Sequence, residues 1–256
     1  MLVTGSAHTL VLKASAVIAA LVIGLSCTDV YAEEKSTFGY GAETDFSSAY
    51  VWRGIVLDDR PVSETSAWIE GFGLSLTAWG NLTLRATEDR PRVRVSGMTL
   101  AYSRDWKNLT MEPAVEAYRW PADLGSGNTI EGSLRLSYKS GPFRAFTEHA
   151  VDTLADKGAY FGEAGLGYER HITQHTEVAI QGSSGWASSK FNDANIGVRK
   201  PAVNFLRVET SLTHYLKPYL YIRPHFTFFN IPDRRISEEL PSRNFTTFGF
   251  ATGFEF

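Results

Sequence analysis

Fourteen ionisable side chains stand out in this sequence, because the short segments that carry them alternate between apolar and polar residues. Side chains of a β-strand point to opposite faces in turn, so these residues would collect on the polar face of a sheet. Acids outnumber bases among them. The candidate inward-facing residues are Glu43, Arg53, Glu64, Glu112, Glu116, Glu131, Arg135, Arg144, Glu148, Glu163, Arg207, Glu209, Arg223 and His225.

Two kinds of chemistry are open to such a set. Oppositely charged neighbours, such as Glu131 with Arg144 or Glu209 with Arg223, could neutralise one another and fill the interior as a solid core. Alternatively the interior is wet, and its excess of acids favours cations over anions. The wet, acid-rich interior is the preferred interpretation, and it predicts weak cation selectivity.

The histidines offer catalytic and metal-binding chemistry, but their neighbours do not complete a site. A lipid hydrolase needs a nucleophile, a base and an orienting group on one face. His214 would face outward, whereas Ser211 falls on the opposite face of the same strand and Asn204 lies far along it. His171 and His175 are four residues apart beside a predicted turn, without the further ligands that zinc requires. The sequence therefore predicts no enzyme, no metal site and no cofactor.

The elements that must position these residues are predicted to be strands. Alternating segments are bounded by Gly, Pro, Asn and Asp. Short and long polar connections alternate along most of the chain, as periplasmic turns and external loops do in transmembrane barrels. The fold class is therefore all-β, an antiparallel up-and-down transmembrane β-barrel of about 12 strands, with 10 or 14 as alternatives. The predicted strands cover 37–53, 62–70, 73–80, 93–103, 109–119, 128–138, 142–152, 158–169, 175–186, 203–216, 218–229 and 244–256.

The last predicted strand carries the clearest lipid-facing pattern. Phe248, Phe250, Phe254 and Phe256 share one face, and the opposite face carries mostly small residues. This resembles the amphipathic C-terminal strand, closed by an aromatic residue, of bacterial outer-membrane barrels. The resemblance implies that these phenylalanines contact lipid and are recognised by the barrel-assembly machinery.

Residues 1–32 are predicted to be a cleaved signal peptide, which leaves 33–256 as a single barrel domain. Lys13 precedes the apolar run Ala14–Ser26, and the sequence Val30-Tyr31-Ala32 that follows resembles the cleavage site of a secretory signal. The run is shorter than the roughly 20 residues of a helical membrane span. Cys27 is the only cysteine and lies within the removed segment, so no disulfide is expected.

Residues 45–54 read Asp-Phe-Ser-Ser-Ala-Tyr-Val-Trp-Arg-Gly, and Pro61 and the sequence Leu-Thr-Ala-Trp-Gly at 76–80 follow. This Tyr-x-Trp-Arg-Gly motif resembles the N-terminal strand of a family of proteobacterial outer-membrane β-barrel proteins of unknown function, grouped with porins. The resemblance is specific over roughly residues 40–82. Where members often carry a serine before the proline, this chain has 55–60 as Ile-Val-Leu-Asp-Asp-Arg. The resemblance implies a fold and an outer-membrane location, without a substrate.

Within this motif, Arg53 is expected at the inner end of the first strand, where Glu64 on the next strand could hold it. Tyr50 and Trp52 are expected on the opposite face, in an interfacial aromatic girdle.

The function predicted from these observations is a porin or small-solute channel of the outer membrane. Its expected partners are outer-membrane lipid, lipopolysaccharide, the barrel-assembly machinery, and small solutes or ions. A filled structural or adhesive barrel that acts through its external loops is the first alternative, and an outer-membrane lipid hydrolase is the second. The mild net charge of −3 and the absence of a basic stripe argue against nucleic acid.

Overall fold

The computed structural model describes residues 38–85, 94–120 and 127–256. The predicted signal peptide lies outside these residues, so its boundary at residue 32 stays a prediction. Among the described residues, no helix has the length and apolar character needed to cross a membrane.

A closed antiparallel barrel of twelve strands forms the protein, which confirms the predicted fold class and strand number. Each strand of the wall pairs with the next wall strand along the chain, and the first, β1 (Gly39–Ser47), pairs with the last, β15 (Asn244–Glu255), to close the sheet. The strands β6 (Arg94–Tyr102) and β7 (Arg104–Trp106) follow one another along β8 (Leu109–Arg119) and together make one wall segment. The barrel strands are β1 (Gly39–Ser47), β4 (Val62–Gly71), β5 (Leu74–Thr83), β6 (Arg94–Tyr102), β7 (Arg104–Trp106), β8 (Leu109–Arg119), β9 (Asn128–Ser140), β10 (Phe143–Asp152), β11 (Tyr160–Thr173), β12 (Thr176–Ala187), β13 (Ala202–Lys217), β14 (Leu220–Asn230) and β15 (Asn244–Glu255).

Short and long connections alternate strictly around the barrel. At one end, which we call the short-turn end, five connections have two residues each: 72–73, 107–108, 141–142, 174–175 and 218–219. The connections at the opposite, long-loop end are 48–61, 84–93, 120–127, 153–159, 188–201 and 231–243. The prediction of 158–169 for β11 was too short. The predicted strands left a five-residue connection, 170–174. Because β11 continues to Thr173, this connection becomes the two-residue turn 174–175.

The outer face of the barrel is apolar, and the inner face is not. In β15 the side chains of Phe248, Phe250 and Phe254 are exposed on the outside, while Thr247 and Ala251, on the opposite face, are buried. The same alternation holds in β13 and β14, where leucines and phenylalanines are exposed. Exposed apolar bands of this kind are what lipid, rather than water, accommodates.

The first predicted strand, 37–53, is wrong in its second half. The barrel strand β1 ends at Ser47, and residues 50–58 form a separate two-stranded hairpin, β2 (Tyr50–Trp52) and β3 (Ile55–Asp58). Alternation alone does not show where a chain leaves the wall, because a hairpin that packs inside a barrel has the same period of two.

Two helices lie in the long-loop connections, α1 (Ser189–Ile196) and α2 (Arg234–Glu239). The hydroxyl of Ser188 accepts a hydrogen bond from the Phe191 backbone N–H and begins α1. The carboxylate of Asp233 accepts hydrogen bonds from Arg235 and Ile236 and begins α2. These caps stabilise the first turn of each helix at the long-loop end of the barrel.

Replacing Leu166 with Arg should destabilise the barrel. Leu166 lies at the middle of β11 with its side chain 71% exposed on the outer face. An arginine facing lipid at that depth costs about 2–4 kcal/mol, whereas near an interface the cost is about 0–1 kcal/mol. For Leu166→Arg, the free energy of unfolding, measured by urea titration in lipid vesicles, should therefore fall by about 2–4 kcal/mol. Leu74→Arg, at the turn end of β5, is the matched control, and equal losses for the two variants would contradict the assignment of the outer face.

Candidate functional site

The hairpin Tyr50–Asp58, which we call the inner hairpin, crosses the interior of the barrel. Its turn residues Arg53 and Gly54 both have positive φ, 51° and 81°, as a two-residue type I′ turn requires. A Cβ added at Gly54 would lie 2.6 Å from Cδ1 of Phe205 on β13. Only glycine therefore satisfies both the backbone conformation and the close approach to the opposite wall.

An ion pair attaches the tip of the inner hairpin to β9. The guanidinium of Arg53 donates to both carboxylate oxygens of Glu131, at 2.8 and 2.5 Å, and both side chains are largely buried. Burial alone would lower the pKa of Arg53, but the Glu131 carboxylate raises that pKa above its ordinary value. Arg53 is therefore cationic inside the barrel. The prediction that Glu64 holds Arg53 was wrong, because the chain leaves the wall at Ser48 and carries Arg53 across the lumen.

Aromatic rings surround this ion pair. The Arg53 guanidinium lies 4.7 Å from the ring centroids of both Trp52 and Phe161, and 5.6 Å from that of Phe191. Trp52 packs against Trp120 at a centroid distance of 5.0 Å. Such contacts stabilise a desolvated cation.

The inner hairpin also joins two apolar clusters at the long-loop end. Ile55 belongs to a buried cluster with residues of β11, β13, β14 and both helices, and Tyr50 belongs to a second cluster with Tyr118 and Trp120. The prediction of an interfacial girdle for Tyr50 and Trp52 was therefore wrong. They pack inside the barrel, where the hairpin acts as a partial plug.

Most charged residues of the wall meet a partner across the inner face. Arg223 donates to Glu43 at 2.6 Å, and the Tyr221 hydroxyl donates to the same carboxylate. On β1 the next inward acid, Asp45, lies 3.0 Å from Nε2 of His225. These contacts join β1 to β14 across β15, which lies between them.

Three further ion pairs lie on the part of the wall formed by β9 to β13. Arg207 pairs with Glu163 at 2.5 Å, Arg135 with Glu148 at 3.1 Å, and Arg144 with Glu169 at 3.9 Å. The predicted pairs of Glu131 with Arg144 and of Glu209 with Arg223 do not form. The reason is tertiary, since Arg53 takes Glu131 and Glu43 takes Arg223.

Four of the candidate acids lie on the inner face without an ion-pair partner among the described residues. Glu64 lies opposite Asp45 and Asn81, Glu112 opposite Arg135, and Glu209 opposite Gln181 and Thr227. The fourth, Glu116, accepts hydrogen bonds from Trp79 Nε1 at 2.9 Å and from Thr99 at 3.2 Å. The described wall therefore carries more carboxylates than its cations neutralise.

A cavity of about 480 Å³ lies beside the inner hairpin. Its lining includes the hairpin residues 50–54, the carboxylates of Glu64 and Glu116, and several aromatic rings. Glu64 lies near the start of β4 and Glu116 near the end of β8, so the cavity occupies the half of the barrel nearer the long loops. Its volume lies within the range of small-molecule sites.

The structure does not bring His214 to Ser211. Nδ1 of His214 lies 3.1 Å from the Thr176 hydroxyl, and Ser211 is on the opposite face of β13. Within the described ranges, no group of three or more His, Cys, Asp or Glu side chains could hold a metal ion.

Sequence reasoning missed the residues that hold the inner hairpin. Phe191 and Phe205 lie on different elements, and no pattern in the chain associates them with Arg53. The one available signal was Arg53-Gly54, since a glycine that follows a polar residue between two alternating segments is typical of a two-residue hairpin turn.

Comparison with known proteins supports the fold. No family model matches the chain, and no curated protein matches its sequence. Among solved structures, the KdgM porin is similar with a TM-score of 0.53 and 9% identity, covering 85% of this chain and 99% of that one. The NanC porin is similar with a TM-score of 0.51 and 12% identity, covering 84% and 97%. A KdgM structure in complex with disordered oligogalacturonate has a TM-score of 0.52 and 8% identity, covering 85% and 99%.

At these identities the likeness concerns architecture. The chain has the fold of an outer-membrane porin-like β-barrel, and its apolar outer face is consistent with that class. Fold and outer face together support an outer-membrane location.

Removing the partner of Arg53 should release the inner hairpin. Breaking a buried ion pair costs about 3–5 kcal/mol, because the remaining charge is left uncompensated. In Glu131→Ala, trypsin should cleave the Arg53–Gly54 bond of the folded, detergent-purified protein about a hundredfold faster or more. Mass spectrometry of the peptides identifies this bond.

The matched control is Glu148→Ala, whose pair with Arg135 is about one-third exposed and contributes little. Cleavage after Arg53 at the wild-type rate in Glu131→Ala, with the barrel still resistant to heat in gel electrophoresis, would show that the ion pair does not hold the hairpin.

Proposed function

We propose that this protein is a narrow outer-membrane channel for small solutes or ions, constricted by the inner hairpin. The observation that carries the proposal is a closed barrel whose inner wall is charged and whose cavity contains unpaired carboxylates. A barrel that serves only as a scaffold has no need of such polar surface, because burying unpaired carboxylates is costly. The similarity of fold to two porins supports the same class.

The charge of the lumen favours cations. The described ion pairs neutralise the inward arginines, whereas Glu64, Glu112, Glu116 and Glu209 keep uncompensated charge. Rings of carboxylates select cations in channels. Under this proposal an anionic saccharide such as oligogalacturonate is a poor solute for this chain.

The same proposal assigns partners to the outer surface. Outer-membrane lipid and lipopolysaccharide would contact the apolar band, and the barrel-assembly machinery would recognise β15 through Phe248, Phe250, Phe254 and Phe256. The exposure of these four rings on the outside is the supporting observation.

A filled structural barrel is the second candidate, and one observation favours it. The inner hairpin, both helices and the aromatic clusters pack the long-loop half of the interior. If this packing is permanent, the protein acts through its loops and conducts nothing.

Conductance in planar bilayers distinguishes the channel from the filled structural barrel. Ser47 pairs with Val62 in the barrel wall, so replacing residues 49–59 with a four-residue Gly-Ser linker removes the hairpin without straining the sheet. The wild type should conduct weakly, and the shortened variant should show a larger single-channel conductance. The reversal potential in a KCl gradient should have the sign of cation preference for both proteins.

Arg234→Ala serves as the control, because Arg234 lies on α2 with its side chain 89% exposed and should leave conductance unchanged. Absence of conductance in the wild type and in the shortened variant, both correctly folded, would favour the filled barrel. Anion preference would contradict the proposed selectivity.

A further inference from the structure

We propose that the cavity beside the inner hairpin binds a small organic cation, of the ammonium or quaternary ammonium class. The inference rests on the proposed function only in taking such a compound as a solute of the channel. Binding at the cavity itself is a separate property, which is measured without conduction.

Two carboxylates supply the negative charge of this site. Glu64 and Glu116 both line the cavity, and neither has an ion-pair partner in the described part of the chain. Both donors to Glu116, Trp79 and Thr99, reach the same oxygen, Oε1, so Oε2 has no hydrogen-bond partner there. The other lining acids differ, because Glu148 and Glu163 are paired with arginines.

The cations of the lining are already engaged, which argues against an anionic ligand. Arg53 is held in a bidentate contact by Glu131, and Arg207 is held by Glu163. An anion entering the cavity would therefore meet Glu64 and Glu116 without a free positive group. A cation would meet two carboxylates whose charge is not neutralised.

A buried amide lies beside Glu64. Asn81 is 3% exposed and lies directly opposite Glu64 on the inner face of β4 and β5. It is not part of the cavity lining, so the ligand-binding surface consists of the two carboxylates and the aromatic rings.

Aromatic rings supply the remaining recognition surface. Tyr50, Trp52, Trp79, Tyr118 and Trp120 line the cavity. Trp79 and Tyr118 are 6.4 Å apart between ring centroids, and Tyr118 and Trp120 are 5.6 Å apart. Ring faces combined with carboxylates attract ammonium groups, and quaternary ammonium ligands are recognised by such aromatic sites.

A divalent metal fits this lining less well than an organic cation. No cluster of three or more metal-ligating side chains occurs in the described chain, and eight of the eighteen lining residues are aromatic. Hard divalent cations need six or more oxygen ligands, whereas an alkylated ammonium gains from ring faces.

Tryptophan fluorescence of the detergent-purified protein tests the inference, because Trp52, Trp79 and Trp120 line the cavity. The probe is choline, and its matched control is 3,3-dimethylbutan-1-ol, which has the same shape without the charge. Choline should produce a saturable change, and the neutral analogue should bind about tenfold more weakly or worse. Galacturonate should not bind.

Variants locate the site. Glu64→Gln and Glu116→Gln should each weaken choline binding, and the double substitution should weaken it about tenfold or more. Glu209→Gln is the matched control, since Glu209 is an unpaired inward acid that does not line the cavity. Each variant is first checked for heat-resistant migration in gels, so that loss of folding is not read as loss of binding.

The outcomes separate this inference from the proposed function. Equal binding of choline and its neutral analogue, choline binding that survives both Gln substitutions, or no choline binding at all would overturn the inference. Conductance in bilayers together with any of these results leaves the channel proposal standing. Saturable choline binding lost in the double variant supports the inference even if bilayers show no conductance, which would overturn only the channel.

Discussion

Closure of the sheet between β1 and β15 is the constraint on which the rest of the structure depends. In the hydrocarbon core of a membrane an open strand edge would leave backbone N–H and C=O groups without partners, so a spanning sheet must form a closed barrel. Here the ladder from Gly41–Glu255 to Ser47–Gly249 joins the two ends of the sheet. Reciprocal bonds between Tyr40 and Phe256 extend it to the last residue. Closure separates an apolar outer surface from an inner surface whose charged and polar side chains must find partners within the barrel.

The charged side chains of the inner surface find partners in two ways. Across the wall, charged side chains pair over one or two strands, as Glu43 does with Arg223. In the long-loop half, the inner hairpin brings Arg53 to Glu131 and places aromatic rings around the pair. The ion pairs of the wall join residues that all lie on barrel strands. The Arg53–Glu131 pair instead depends on the inner hairpin, which enters the lumen.

Under the channel proposal, incomplete neutralisation of the inward acids would give the lumen its preference for cations. If every inward acid met a cation, the interior would be a polar core without selectivity. The hairpin carries Arg53 into the lumen, where Arg53 pairs with Glu131. Glu64 and Glu116 remain without an ion-pair partner beside the cavity. Constriction, acidic charge and aromatic surface thus occur at one level of the barrel, which connects the channel proposal with the proposed cation site.

The sequence by itself determined the fold class, the twelve strands and the division into outer and inner faces, because a period of two and the alternation of connection lengths are local properties of the chain. It also pointed to the inward-facing set, in which Glu116 and Arg207 illustrate the alternation with apolar neighbours. Only the tertiary structure decided that Tyr50–Asp58 leaves the wall, that Arg53 meets Glu131 rather than Glu64, and which carboxylates stay unpaired. Those outcomes depend on contacts between residues distant along the chain, such as Gly54 against Phe205, and no local pattern encodes which distant side chains a closed barrel brings together.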